Sequence, residues 1–374
     1  MKKKKAIVAG HICVDITPVF PGEKVDRLDS ILLPGKLIRM DGVSVNAGGV
    51  VVNTGLAMKI FGQEVSLMGK VGEDSFGDIV ENVLASYGAS EGLIRSADCE
   101  TSYTVVLAVP GIDRIFLHAP AANDTFCSED LDWEKVGEAD LFHFGYPPLM
   151  KNMYEKDGEE LEKLLRRAKE AGVTVSLDLA AVDPASEAGR ADWQKILARV
   201  LPHVDFFEPS LEELCFMLDG ELYRALNDRA AGREITEVVT YEEIRGLGQK
   251  VMELGAKAVL IKCGAPGLYY RTASADTMRS LCDKMQLCPE EWEEKEGFEK
   301  SYQPEIVRSG TGAGDVSIAA FLCGVLGEES LEEAMHLAAA GGASCVTTYD
   351  ALSGLMHVDK LKEKIRGGWK KADL

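Results

Sequence analysis

The chain has 374 residues, of which 46% are hydrophobic and 27% are charged, a composition typical of a globular protein with a full core. It carries 61 acidic against 41 basic side chains, which gives a formal net charge of −20. Because such a surface repels nucleic acid and anionic membranes, neither is an expected partner. An anionic substrate would need basic residues close to its site to overcome that field.

The N-terminal segment shows no targeting signal. Lysines at 2–5 lead directly into the apolar residues 6–9, without the longer apolar core and small-residue cleavage site of a signal peptide. No apolar run approaches the length of a membrane span. The nine cysteines are scattered, and only Cys282 and Cys288 lie close together, without a second pair at zinc spacing. We interpret them as reduced thiols, so the expected location is the cytoplasm.

Short apolar runs alternate with amphipathic stretches along the chain. The apolar runs predict strands at 6–10, 65–69, 140–144, 173–178, 204–207 and 257–261. The amphipathic stretches predict helices at 50–61, 76–86, 158–171, 192–200, 210–218, 241–254, 315–326 and 331–346. This alternation predicts an α/β fold with a doubly wound, mostly parallel sheet flanked by helices, which binds ligands at the carboxyl ends of its strands.

Four regions break this alternation. Residues 12–46 and 101–119 look like antiparallel strands, the second pair joined by a turn at 110–113, and they predict one small sheet outside the main one. Residues 220–240 and 273–303 are polar, charged and poorly periodic. We interpret these last two regions as surface insertions.

The most informative segment is the turn Ser-Gly-Thr-Gly-Ala-Gly-Asp at 309–315, which a predicted helix follows at once. Its small residues let backbone N–H groups approach a ligand, and the helix N-terminus adds partial positive charge, so the turn is suited to an anion. Asp315 would repel a phosphate unless it takes a proton from a hydroxyl that attacks a phosphoryl group. The alternative is that Asp315 only caps the helix.

A second glycine pair, Gly48 and Gly49, precedes the predicted helix at 50–61. Asn53 lies in the first turn of that helix, where its amide can both donate and accept hydrogen bonds, as a polyhydroxylated ligand requires. Asp15 follows soon after the first strand and could bind a pair of hydroxyls with its two oxygens. Each of these residues, taken singly, also fits an ordinary turn or loop.

These segments together resemble the ribokinase-like (PfkB) carbohydrate kinase family over nearly the whole chain. The matching parts are Asp15 after the first strand, the Gly48-Gly49…Asn53 segment, the run Gly-Lys-Val-Gly-Glu-Asp-Ser-Phe-Gly at 69–77, and Thr-Gly-Ala-Gly-Asp at 311–315. They occur in the family's order and approximate spacing. The resemblance implies a single ribokinase-like kinase domain over 1–374, in which the small sheet is a lid.

The resemblance also implies roles for the residues of the site. Asp315 would be the catalytic base, and the amides of Gly312, Ala313 and Gly314 would form the anion hole for the transferred phosphoryl group. The expected substrate-binding residues are Asp15, Gly48, Gly49 and Asn53. The expected nucleotide-binding residues are Ser210, Glu213, Lys262, Gly264, Gly267 and Thr311. ATP would be the co-substrate, Glu213 would act on Mg²⁺ through water, and the lid would form a homodimer contact.

The chain departs from the family pattern at three places. Ser309 and Gly310 stand where the signature usually begins Asp-Thr, and in relatives activated by potassium that aspartate helps to hold the ion. Ser309 offers only a neutral oxygen, which weakens the expectation of potassium as a cofactor. Ser210 stands where asparagine is usual, so Glu213 has less support. Val51 occupies a position that is often small and would narrow the sugar pocket.

We expect the substrate to be a small neutral sugar or polyol. A sugar phosphate would need basic residues near the lid, where the evident ones are Lys36, Arg39 and Arg114. A nucleoside is the second hypothesis, since a base could stack on Tyr103, Phe116 or His118. A non-catalytic regulator that binds a sugar or nucleotide is the third. A dinucleotide-binding dehydrogenase is excluded, because the first strand lacks the Gly-x-Gly-x-x-Gly turn.

Overall fold

The computed structural model describes residues 3–22, 24–112 and 115–373. The strands in these ranges are β1 Lys5–Gly10, β2 Cys13–Val19, β3 Gly42–Gly48, β4 Glu64–Met68, β5 Lys70–Gly72, β6 Ile94–Ser96, β7 Tyr103–Leu107, β8 Ile115–Ala119, β9 Leu141–Gly145, β10 Thr174–Leu177, β11 Phe206–Phe207, β12 Ala258–Lys262, β13 Gly267–Thr272 and β14 Glu296–Lys300. The helices are α1 Val50–Ile60, α2 Ser75–Ser86, α3 Ala122–Thr125, α4 Trp133–Gly137, α5 Lys151–Tyr154, α6 Glu159–Glu170, α7 Trp193–Val200, α8 Leu211–Leu218, α9 Gly220–Ala230, α10 Tyr241–Glu253, α11 Ala275–Met285, α12 Pro289–Trp292, α13 Ala313–Leu326, α14 Leu331–Cys345 and α15 Val358–Arg366.

The main sheet has the strand order β14-β13-β12-β11-β10-β9-β1-β4. The six strands from β12 to β4 are parallel and coincide with the six predicted strands. The antiparallel strands β13 and β14 extend the sheet beyond β12 and were not predicted. The sequence of β14, Glu-Gly-Phe-Glu-Lys, is charged rather than apolar, as is common at an exposed sheet edge that must resist pairing.

Helices cover both faces of this sheet and divide the core into two clusters. Ala6 and Val8 of β1 point into the cluster shared with α1, α13 and α14, whereas Ile7 and Ala9 point into the cluster shared with α6, α7, α8 and α10. This alternation follows from the two-residue period of a strand. All eight predicted helices are present, with ends within two residues of the prediction. No helix in the described ranges is long and apolar enough to cross a membrane.

The interpretation of 273–303 as a polar surface insertion is wrong. Its helix α11 buries residues at helical spacing, namely Met278, Leu281, Cys282 and Met285, and α12 buries Trp292. Charged residues lie between these buried positions, so the average composition of the segment is polar although its apolar residues recur at helical spacing. Residues 220–240 likewise contain the helix α9, which buries Leu226 and Ala230. Both segments are therefore part of the packed domain.

The small sheet has the order β3-β2-β7-β8 and lies outside the main sheet, as predicted. The β2–β3 and β7–β8 pairs are antiparallel, whereas β2 and β7 are parallel. The expectation of antiparallel strands throughout is therefore wrong for the central pair, because the long connection from β3 to β7 lets the second hairpin enter in the same direction. Residues 110–112 lie in the predicted turn, whereas Asp113 and Arg114 lie outside the described residues.

Candidate active site

A cavity of about 860 Å³ opens at the carboxyl ends of the parallel strands. The predicted site residues that line it are Ser210, Glu213, Lys262, Gly264, Gly267, Gly312, Ala313, Gly314 and Asp315. The edge of a doubly wound sheet is where such folds bind ligands, because loops from several strands converge there. The structure thus brings together residues that are more than 100 positions apart in the chain.

The glycine-rich turn leads into α13 through a left-handed residue. Gly312 is the N-cap of α13 with φ of +75°, and a Cβ there would lie 2.5 Å from the Cβ of Ala351, so only glycine fits. The amide of Ala313 donates to the carbonyl of Gly310 at 3.2 Å. That amide is therefore already used within the turn, although the resemblance assigns it to the anion hole.

Asp315 lies in the first turn of α13 and is only 5% exposed. Its Oδ1 accepts a hydrogen bond from the hydroxyl of Tyr146 at 2.7 Å, and its Oδ2 accepts one from Nδ2 of Asn53 at 3.0 Å. Asp315 is not the helix cap, since Gly312 occupies that position without any side-chain capping bond. Burial raises the pKa of Asp315, while the Tyr146 hydroxyl and the Lys262 ammonium oppose that shift.

Lys262 ends β12 and lines the cavity with a side chain that is 13% exposed. Its Nζ lies 2.5 Å from Oδ1 of Asp178 and 2.7 Å from the carbonyl oxygen of Glu208. Burial lowers the pKa of Lys262, but the carboxylates around it outweigh that effect, so the pKa is raised overall and the ammonium stays charged. A Cβ on Gly314 would lie 3.4 Å from the Lys262 side chain, which places the lysine beside the glycine turn.

Glu213 and Ser210 form a capping box at the start of α8. The amide of Ser210 donates to Oε2 of Glu213 at 2.7 Å, and the amide of Glu213 donates to Oγ of Ser210 at 3.2 Å. Serine therefore supports Glu213 in the place where the family usually has asparagine. Asp178 and Glu213 both line the cavity, and carboxylate oxygens are ligands that Mg²⁺ accepts directly or through water.

The four predicted substrate-binding residues are not among the residues that line this cavity, namely Asp15, Gly48, Gly49 and Asn53, although Asn53 contacts Asp315, which does line it. A Cβ on Gly48 would lie 2.1 Å from Oδ2 of Asp15, and a Cβ on Gly49 would lie 2.6 Å from Nδ1 of His11. The two glycines thus leave room for neighbouring side chains of the site, a role that the sequence did not suggest. Burial raises the pKa of Asp15, whereas hydrogen bonds from Cys13 and Thr104 oppose the shift.

Two polar residues of the site were missed in the sequence. Asp178 directly follows β10, and Tyr146 directly follows β9. Both therefore stand at the carboxyl ends of predicted parallel strands, which is the signal that could have found them. Thr311 lies in the turn before α13, where its hydroxyl oxygen accepts a hydrogen bond from Oγ of Ser309 at 3.0 Å. It does not line the cavity.

The fold and the site together define a class of protein. It is a doubly wound α/β protein whose cavity joins a glycine turn at a helix N-terminus, a buried ammonium and a buried carboxylate, a set suited to phosphoryl transfer. The model of the pfkB family carbohydrate kinases matches residues 8–357. The chain belongs to this family, and it is an ATP-dependent carbohydrate kinase. The resemblance seen in the sequence is confirmed.

Two relatives are distant in sequence but cover most of the chain. The chain is 23% identical to probable fructokinase-4 of Arabidopsis thaliana over 378 residues, covering 98% of each protein. It is also 23% identical to an uncharacterized sugar kinase of Archaeoglobus fulgidus, over 80% of this chain and 98% of that protein.

Solved structures confirm the ribokinase-like fold. Arabidopsis thaliana ribokinase complexed with ribose and ATP superposes with a TM-score of 0.70 at 20% identity, covering 96% of this chain and 98% of that one. A putative ribokinase II from E. coli, in complex with ATP and Mg²⁺, superposes with a TM-score of 0.69 at 19% identity, covering 97% and 99%. At these identities the likeness shows the fold alone.

Proposed function

We propose that this kinase transfers the γ-phosphoryl group of ATP to a hydroxymethyl oxygen of a small neutral sugar or polyol, with Asp315 as the general base. The observation that carries the proposal is the buried carboxylate of Asp315, held by Tyr146 and Asn53 beside the glycine turn. A carboxylate fixed in this way is ready to accept a proton from a hydroxyl placed next to it. Two of its neighbours donate hydrogen bonds, so its charge is stabilised before substrate binds.

Each group has a defined part in this mechanism. Asp315 takes the proton as the substrate oxygen attacks the γ-phosphorus, and the amides of Gly312 and Gly314 in the glycine turn stabilise the charge on the transferred group. Lys262, which lies beside the glycine turn, offsets negative charge on the phosphates. Positioning and charge stabilisation supply most of the acceleration in phosphoryl transfer.

The residues around the cavity fit Mg²⁺ as the ion that accompanies ATP. Glu213 would hold it through water, and Asp178 offers a second carboxylate oxygen on the same side. Bound Mg²⁺ neutralises charge on the β- and γ-phosphates. We expect no potassium requirement, because Ser309 is engaged with Thr311 and brings no charge to the place of the usual aspartate. We propose a cytoplasmic location, because all nine cysteines are free thiols.

The neutral substrate is favoured by the charges around its site. Asp315 is buried and Asp15 is half-buried, and their two carboxylates disfavour an anionic group on the substrate. Of the basic residues considered for a sugar phosphate, Lys36 and Arg39 are exposed in the loop before β3, and Arg114 lies outside the described residues. A nucleoside stays the second hypothesis, although the ring of Tyr103 is already packed edge-on against Phe76.

We further propose a homodimer formed through the lid. One face of the small sheet carries Val43, Val45 and Leu117 with 59%, 40% and 52% of their surface exposed. Val45 pairs with Ile16, Ile16 pairs with Val105, and Val105 pairs with Leu117, so Val45 and Leu117 share a face. Val43 lies two residues before Val45 in β3 and therefore projects from the same face. An apolar patch of this kind is typical of a protein contact.

The test of the activity is ATP consumption with Mg²⁺ across sugars, polyols, nucleosides and sugar phosphates, with and without potassium. We expect turnover with a neutral sugar or polyol, and a loss of about 10²–10⁴-fold in Asp315→Asn. The matched control is Asp276→Asn, which changes an aspartate that is 93% exposed in the first turn of α11. Asp315→Asn with more than a tenth of normal activity would show that the base is another group.

A further inference from the structure

Residues 369–372, which we call the strap, supply part of the wall of the cavity. They follow α15 and lie outside residues 8–357, which the family model matches. Ala372 of the strap lines the cavity together with Ser301 and Tyr302, the residues just after β14. The cavity is therefore built partly from a segment that the family model does not cover.

Backbone hydrogen bonds attach the strap to residues 301–303 as a short antiparallel bridge. The amide of Ala372 donates to the carbonyl of Ser301 at 2.9 Å, and the amide of Gln303 donates to the carbonyl of Lys370 at 2.9 Å. This pairing fixes the backbone of the strap and holds Ala372 against the cavity.

Two side chains of the strap pack on the ring of Tyr302. The ring of Trp369 stacks on it with centroids 4.9 Å apart, and Nε1 of Trp369 donates to the carbonyl of Gln303 at 2.7 Å. The ammonium of Lys371 lies 3.3 Å from the ring centroid of Tyr302 and also pairs with the carboxylate of Glu299. Attachment of the strap therefore also determines the surroundings of Tyr302, which lines the cavity.

The connection between α15 and the strap allows the strap to move. Gly367 and Gly368 form this connection and are both exposed, and Gly368 has a φ of +84° with open space where a Cβ would lie. Glycine adopts such a conformation without steric strain and tolerates rotation there. Rotation at these two residues can therefore detach the strap while α15 stays in place.

The strap adjoins the loop of the predicted nucleotide-binding residues. Ser301, which pairs with the strap, donates its amide to the carbonyl of Pro266 at 3.2 Å. Pro266 lies between Gly264 and Gly267, and both glycines line the cavity. Lys262 precedes this loop and lies beside the glycine turn. The wall of the cavity thus continues from the cationic side chain, along the loop, to the strap.

The side chains near the strap suit the nucleoside part of ATP rather than its phosphates. They offer apolar surface to the cavity, namely from Leu268, Tyr302, Ala339 and Ala372. A planar base gains from contact with such surface, whereas phosphates need charge and N–H donors of the kind found at Lys262 and the glycine turn.

We propose that the strap is a movable wall of the nucleoside end of the ATP site and that bound nucleotide holds it in place. A nucleotide that touches Ala372 has contacts with the attached strap that it lacks when the strap is detached, so it favours the attached state. By linkage, the attached strap increases the affinity for nucleotide by the same factor. This inference rests on the proposed function, because it takes the cavity as the ATP site.

Hydrogen–deuterium exchange tests the coupling without turnover. The amides of Ala372 and Gln303 are bonded across the strap and report its attachment. We expect ADP with Mg²⁺ to slow exchange in the peptides that contain them and in the glycine turn at 309–315, whereas D-fructose alone leaves the strap unchanged.

The same experiment separates this inference from the proposed function. Protection of the glycine turn by ADP without protection of the strap would overturn the inference alone. Equal protection of the strap by D-fructose would also overturn it, because the strap would then respond to the sugar. No protection by ADP at either place would refute the cavity as the ATP site, and the inference would fail with it.

A bulky side chain on the strap should weaken nucleotide binding selectively. Ala372→Phe puts a ring into the cavity wall and should raise the Kd for ADP and the KM for ATP on the order of tenfold, with the KM for the sugar unchanged. Asp373→Phe adds the same ring one residue later, at an exposed position, and is the matched control that should change neither value. An unchanged Kd for ADP in Ala372→Phe would overturn the inference.

Detachment of the strap should have the same selectivity. Trp369→Ala removes the stacking on Tyr302, so we expect faster exchange at the amide of Ala372 and a higher Kd for ADP. Trp133→Ala is the control, because Trp133 is also half-buried and packs under a cation, Arg167, as Trp369 packs under a lysine. The same increase in Kd in both variants would indicate a general loss of stability and would contradict the role given to the strap.

Discussion

Asp315 owes its reactivity to a balance of opposing effects on one carboxyl group. Burial destabilises the charged form and raises the pKa, while the Tyr146 hydroxyl, the Lys262 ammonium and the Asn53 amide stabilise it. A base is more effective as its pKa approaches the working pH, provided that it stays ionised. The hydrogen bond from Tyr146 therefore limits how far the pKa can rise.

Tyr146→Phe should shift the pH dependence of catalysis in a known direction. Removing the hydroxyl takes away the hydrogen bond that lowers the pKa of Asp315, so the pKa rises further. Because the base works only when ionised, the acidic limb of kcat/KM should move to higher pH. The measurement is the pH profile of kcat/KM for both proteins. Tyr154→Phe, a tyrosine on α5 away from the cavity, should leave the limb in place, and a limb that stays put or moves to lower pH in Tyr146→Phe would contradict the role given to this hydroxyl.

At the scale of elements, the lid has two faces with different tasks. The two-residue period of its strands sends Asp15, Thr104 and His118 to one side, and Val45 and Leu117 to the other. We propose that the polar side faces the substrate. The apolar side is exposed in a single copy of the chain, and this exposure gives a second copy a surface on which to pack.

A charged lid should dissociate the proposed dimer. Val43→Lys combined with Leu117→Lys puts two cations on the apolar face, and burying unpaired charges in an interface is strongly unfavourable. We expect the unaltered protein to sediment as a dimer and the double variant as a monomer. Lys substitutions at Tyr87 and Tyr349, which are exposed at other places, should leave the dimer intact. A monomeric unaltered protein at micromolar concentration would refute the contact.

The whole molecule is held together by two apolar layers, one on each face of the main sheet. The layer that includes α13 also takes in α11 and α12, so the segment at 273–303 supports the helix that carries Asp315. Trp292 is the clearest link, because its ring packs against Phe206 and Phe321 at centroid distances of 5.9 and 6.0 Å. Its Nε1 donates to the carbonyl of Glu329 at 3.1 Å.

Trp292→Ala should therefore be among the more damaging single changes to stability. Removing a fully buried aromatic ring typically costs about 3–5 kcal/mol in the free energy of unfolding. Urea denaturation followed by circular dichroism measures the loss. Leu37→Ala alters a fully exposed side chain and should change stability by no more than about 0.5 kcal/mol. If the two variants had similar free energies of unfolding, Trp292 would not be part of the packed core, and 273–303 would be a surface insertion after all.

The sequence by itself determined the class of fold, the six parallel strands, the eight main helices and the order of the site segments along the chain. It did so because apolar periodicity and glycine-rich turns are local properties that the chain displays directly. Asp315 and the turn at 312–314 were predicted on this basis. The family membership followed from the same segments and is confirmed by the family model.

Only the tertiary structure decided which distant residues meet. The partners of Asp315 come from α1 and from the residue after β9. The position of Tyr146 at the end of a predicted strand indicates the site, but only the tertiary structure pairs its hydroxyl with Asp315. The same holds for the ion pair between Lys262 and Asp178, which joins the ends of two strands 84 positions apart. The parallel pairing of β2 with β7 and the burial of Trp292 also depend on contacts across the chain. Local patterns specify elements, whereas strand order and register determine which side chains share a site, because those are set by packing over the whole domain.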